Sequence, residues 1–178
     1  MKKTNYILLI IILIFSQLGC TSDKKPATSE TKTAGIKQLN IATNKVTIDP
    51  SLKKHSSPES LQTLPDYYPT NDVPLAIDAK FFDIKEVYAS KVLSIMYATD
   101  NDIDTICDFY EDAFKSFQKT PTTRNEWADI TLIAKNNGAT YKIYLWKPGM
   151  MQNVPELVEK TIVIMELRDL KNFPDAKN

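Results

Sequence analysis

Between residues 79 and 167 apolar positions alternate with polar ones, and the rhythm breaks once. Ala79–Val87 and Lys91–Thr99 read as strands; in the second, Leu93, Ile95 and Tyr97 fall on one face and Val92, Ser94 and Met96 on the other. Over Asp100–Lys119 the period lengthens. Ile103, Ile106, Cys107, Tyr110, Phe114 and Phe117 form one stripe of a helix. Asp100 and Asp102 supply its cap and a favourable negative charge, and Thr120, Pro121 and Thr122 are expected to end it. Trp127–Lys135 and Ala139–Trp146 alternate again around Asn137-Gly138, a pair suited to a type I′ turn because both positions need positive φ. That turn sets Lys135 opposite Thr140, Ala134 opposite Tyr141, Leu132 opposite Ile143 and Ile130 opposite Leu145. Ile130, Leu132, Ala134, Tyr141, Ile143 and Leu145 then share the face that the helix covers. Lys160–Leu167 is the last strand. The order β-β-α-β-β-β predicts an α+β domain, one antiparallel sheet with a single long helix packed on it.

The start of the chain follows a different pattern. Lys2 and Lys3 precede an unbroken apolar run, Tyr6 to Phe15, and then Ser16, Gln17, Leu18, Gly19 and Cys20. Positive head, apolar core and small residues make a secretory signal peptide. From Tyr6 to Leu18 the run is too short for a membrane span, which needs about 20 apolar residues. Leu18-Gly19-Cys20 after such a run resembles the lipobox of bacterial lipoproteins, with Gln17 standing where that family prefers Leu. The resemblance implies removal of residues 1–19 and a diacylglycerol anchor on the Cys20 thiol, with fatty acyl chains such as palmitate. Two acyl chains on one residue suffice for stable anchoring, where one is marginal. Thr21 after the Cys resembles the type sorted to an outer membrane. The expected location is therefore a cell membrane or outer membrane, facing outside the cytoplasm.

After Cys20 the composition changes twice. Residues 20–63 read as a tether: Thr21 to Gly35 is Thr, Ser, Lys, Pro and Ala, too polar to fold. Ile36, Leu39, Ile41, Val46 and Ile48 leave open whether residues 36–48 add an edge strand or are coil. As coil, the tether would reach roughly 35 Å. Residues 64–178 are read as the compact domain, entered through Tyr67, Tyr68 and the prolines Pro65, Pro69 and Pro74. Tyr68-Pro69, Asp72-Val73-Pro74-Leu75 and Asp100…Phe109-Tyr110 resemble the lead-in and helix entry of small α+β domains in exported bacterial lipoproteins that carry no assigned role. The 178 residues hold 22 Lys+Arg against 22 Asp+Glu, so no nucleic-acid partner is expected. The balance is uneven. The tether has seven Lys and four acids, and residues 64–178 have 13 basic against 18 acidic side chains.

Each candidate for chemistry has a plainer reading. Asp100, Asp102, Asp104, Asp108 and Glu111 match acidic positions of an EF-hand calcium loop. Thr105 stands where that loop needs Gly, and the helical stripe already runs through Ile103 and Ile106, so a capped helix start is the better reading. Cys107 lies on the apolar stripe and reads as a small buried hydrophobe. The one His, His55, falls in the tether and reads as solvated. No metal or cofactor is expected, and there is no Gly-rich phosphate loop or Gly-x-Ser-x-Gly elbow. Tyr144 and Trp146 project from the sheet face opposite the core, beside Thr131, Ile133 and Lys142. They are either a binding patch or are covered by the lead-in with Tyr67 and Tyr68. Together these features predict a lipid-anchored envelope protein, a non-catalytic binding or scaffolding module. Its partners would be the membrane through Cys20 and an envelope protein, glycan or lipid. The alternative is an envelope hydrolase using carboxylates the sequence does not single out.

Overall fold

Alternation along five strands gives one sheet two apolar faces of unequal depth. A computed structural model describes Lys37 and residues 46–125 and 128–175. The expected signal peptide, Cys20, most of the expected tether and Trp127 lie outside the described residues. The strands are β1 (Lys80–Val87), β2 (Val92–Thr99), β3 (Gln118–Lys119), β4 (Thr123–Asn125), β5 (Ala128–Asn136), β6 (Ala139–Trp146) and β7 (Thr161–Arg168), with helix α1 (Ile103–Ala113) between β2 and β3. All pair antiparallel in the order β1-β2-β7-β6-β5-β3, and β4 also pairs with β5. The α+β class and the single helix are as the sequence predicts, with two short edge strands added. Among the described residues no helix is long and apolar enough to cross a membrane.

The hairpin forms in the expected register, from Ile130 opposite Leu145 to Lys135 opposite Thr140. Asn137 and Gly138 both take positive φ, 50° and 89°, which is the conformation a type I′ turn requires. Ile130, Leu132, Ala134, Tyr141, Ile143 and Leu145 are buried in the main core. There they meet Leu93, Ile95 and Tyr97 from β2, Val163, Met165 and Leu167 from β7, and Ile106, Cys107, Tyr110 and Phe114 from the helix side.

The helix is shorter than its stripe suggests. Asp102 is the cap, its carboxylate accepting from the Thr105 backbone N–H at 2.8 Å and from the Thr105 hydroxyl at 2.6 Å. Asp100 does not cap; it pairs with Lys160. The helix ends at Ala113 rather than near Lys119. Phe114 and Phe117 still pack on the core, but the chain between them turns back, and Gln118 and Lys119 pair with Lys135 and Ala134 of β5. The Lys119 amine reaches the Glu111 carbonyl at 3.5 Å and the Thr122 hydroxyl donates to Glu111 at 2.6 Å. Covering the open edge of β5 outweighs one more turn of helix, because an unpaired strand edge leaves a row of backbone groups without partners.

The packed domain also begins before residue 64. Val46, Ile48 and Leu52 are buried. Thr47 bridges Thr63, and Ile48 bridges Phe81 in parallel. The Asp49 N–H donates to the Phe81 carbonyl at 2.8 Å and the Leu61 N–H to the Ile84 carbonyl at 2.7 Å. Residues 46–63 therefore belong to the fold and cover the outer edge of β1. The predicted tether boundary is corrected for this stretch.

Candidate functional site

The sheet face away from α1 is built by the alternate residues of the same strands. Register places Tyr144 beside Ile164 and Thr131, and Ile164 beside Met96. One step along, Trp146 lies beside Ile162, and Ile162 beside Ala98. Tyr144 and Trp146 share this face, with ring centroids 6.1 Å apart and planes at 35°. Both are half-buried. The Tyr144 hydroxyl is held above the ordinary phenol range by burial first and by the nearby Glu166 next, with Arg168 acting the other way. Asp129 on β5 accepts from the Lys147 backbone N–H at 3.0 Å and pairs with the Lys147 amine at 3.6 Å.

The cover on this face is not the one expected. Tyr68 is buried in the main core, and Tyr67 packs against it. Tyr68 also donates to the Val73 carbonyl at 2.6 Å. A second, smaller core instead forms on the Trp146 end of the outer face: Leu52, Phe82, Ala98, Val154, Leu157 and Ile162, with Trp146, Met96, Met151 and Ile164 packed against it. Trp146 is therefore partly a core residue. Tyr144 is not among the residues packed on either core.

Four of the five acids of the acidic stretch take protein partners, and Asp108 is exposed. Asp100 pairs with Lys160, Asp102 caps the helix, Asp104 meets Arg124 at 3.4 Å and Glu111 takes the Thr122 hydroxyl. Lys160 holds the Asp100 carboxyl below the usual carboxylate range, and Thr105 does the same for Asp102. Cys107 is buried on the stripe, and desolvation, then Glu111, pushes its thiol up to about 11, so its thiolate is scarce at neutral pH.

Several polar groups are placed by the fold alone. His55 is not a solvated linker residue. It ends a 3-10 turn, Lys53–His55, beside the second core, and its Nε2 is buried 3.7 Å from Glu156, which also takes the Lys54 amine at 2.8 Å. Asp83, buried on β1, accepts from the Ser57 N–H and hydroxyl and pairs with Lys85. Asp78 fastens the turn between β2 and α1, accepting from the Thr99 hydroxyl, the Asp100 N–H and the Asn101 side chain. Glu86 takes hydroxyls from both Tyr67 and Tyr88. His55 with Glu156, Ser57 with Asp83, Tyr67 with Glu86 and Asp78 with Thr99 each join segments far apart in the chain, so no local pattern marks them. Comparison with protein-family models, curated proteins and solved structures returns no match to this chain.

Proposed function

We propose that the chain is a lipid-anchored cell-envelope protein whose exported domain is a non-catalytic binding module, with Tyr144 at the centre of the contact surface and Trp146 as its buttress. The observation that carries this reading is the aromatic pair on the outer face, 6.1 Å apart on one strand and half-buried. Tyrosine presents a rigid, amphipathic surface at low entropic cost, and Tyr and Trp are enriched among the residues that carry most binding energy. The Leu18-Gly19-Cys20 sequence supports the anchor. Placement outside the cytoplasm makes an envelope protein, glycan or lipid the partner class.

The test is a photo-crosslinking amino acid at Tyr144 of the full chain in living cells. The control carries it at Asp112, which is 77% exposed on the helix. A discrete adduct from position 144 and none from 112 is the expected result. Absence of any adduct at 144 overturns the patch.

A further inference from the structure

At the margin of the main core, on β1, the Glu86 carboxylate joins two tyrosines that share one phenylalanine neighbour. Tyr67 donates to Oε1 at 2.6 Å and Tyr88 donates to Oε2. Phe173, from the segment after β7, stands edge-to-face with both tyrosines, its centroid 5.6 Å from Tyr67 at 64° and 6.0 Å from Tyr88 at 69°. Lead-in, β1–β2 turn and C-terminal segment thus meet in one aromatic cluster, and two of its rings bond the same acid.

Two features of this cluster point to a cation. First, among the described residues Glu86 is in no ion pair. Two hydroxyls occupy two of the roughly four acceptor sites that a carboxylate offers, and they leave its charge uncompensated in a half-buried place. Second, an edge-to-face contact sets the positive rim of one ring against the negative face of another. A ring face attracts a cation by the same quadrupole. Phe173 meets both tyrosines in this way, and it is held by a short segment: its N–H donates to the Leu170 carbonyl at 3.1 Å, and Asn172 before it takes a φ of 67°.

We propose that Tyr67, Glu86 and Tyr88 form a receptor for a small quaternary ammonium group, and that Phe173 is the plug that fills it in the free protein. The rings supply cation-π attraction and the carboxylate supplies the opposite charge. Alkylated ammonium suits the site better than a bare ammonium, because its methyl groups lose little hydration on contact with the rings. The site lies on β1, three strands from Tyr144 on β6, and stands independently of the outer-face reading.

The test titrates choline into the full chain and follows its N-methyl proton resonance. The expected result is saturable upfield-shifted binding that tightens about tenfold in Phe173→Ala, since the plug no longer competes. Phe173→Leu keeps an apolar contact and serves if the Ala variant melts early. Glu86→Gln in either background should weaken choline about tenfold or more, and 3,3-dimethylbutanol, the uncharged isostere, should not compete. Displacement of choline by short-chain phosphatidylcholine below its micelle concentration would identify a lipid headgroup as the source. No displacement would identify a free cation. Absence of saturable binding in the Phe173 variants, binding indifferent to Glu86→Gln, or equal binding of the isostere overturns the proposal.

Discussion

The hydroxyls of Tyr97 on β2 and Tyr110 on α1 meet at 2.7 Å inside the core, and Tyr110 also reaches the Met165 sulfur on β7 at 3.4 Å. Tyr110 has one hydroxyl proton. With that proton on the sulfur, Tyr97 donates to Tyr110, and helix and sheet are joined through a satisfied polar chain. Tyr110→Phe leaves the buried Tyr97 donor without an acceptor and should cost about 1–3 kcal/mol. Tyr97→Phe should cost less, since the Tyr110 oxygen loses a donor but keeps its own bond to Met165. The double variant should fall short of the sum of the two, because the residues share one interaction. Urea unfolding with an unchanged slope checks all three.

The same tyrosines make the fold sensitive to alkali. Burial raises the Tyr68, Tyr97, Tyr110 and Tyr141 hydroxyls above the ordinary phenol value. Asp72, which accepts from Tyr141 at 2.6 Å, adds to the effect there. A group whose folded value is raised binds its proton more tightly in the native state. Its stabilisation is complete below about pH 10, where the unfolded phenol titrates, and is lost as pH rises beyond it. Stability should therefore fall steeply above pH 10, and these tyrosines should ionise together with unfolding. Tyrosinate absorbance and circular dichroism, followed in one alkaline titration, should show coincident transitions.

The two outer-face aromatics should separate in a melt. Trp146 packs on the second core with Met96, Met151 and Ile164, so Trp146→Ala should cost about 2 kcal/mol, short of the 3–5 typical of a full core aromatic. Tyr144 is packed on neither core, and Tyr144→Ala should cost about 1 kcal/mol or less. Thermal unfolding of both variants measures the difference. Equal losses would place Tyr144 in the core as well.

What could be read from the sequence follows how local each determinant is. The β5–β6 register was legible because Asn137-Gly138 admits one turn geometry and a period of two then assigns every face. The helix start was legible from Asp102. Its end was not, since Phe114 and Phe117 keep the stripe in phase while the competing interaction, pairing of Gln118 and Lys119 with β5, is supplied by residues more than ten positions away. Val46, Ile48 and Leu52 stand singly in polar surroundings, so no periodicity marks them; the β1 edge gives them their burial. His55 beside Glu156 and Glu86 beside Tyr67 were hidden for the same reason. The outer-face position of Tyr144 and Trp146 was legible from strand alternation, whereas the second core beneath Trp146 needed the tertiary fold.

Cys107 should behave as a core residue. Burial holds its thiol up to about 11, so a thiol reagent at pH 8 should leave the Cys107 peptide unlabelled in the native protein and label it fully in urea. Peptide mass mapping reads both states. Rapid native labelling would contradict the placement of the helix stripe against the sheet.

The proposed lipid anchor and export rest on Cys20, and intact-mass spectrometry of the chain purified from its own membranes tests them most directly. The account predicts a mature chain that begins at Cys20, carries a diacylglyceryl mass on that residue, and loses the lipid fragment from the N-terminal peptide alone. A chain that begins at any other residue, or one that begins at Cys20 with no acyl mass, would contradict it.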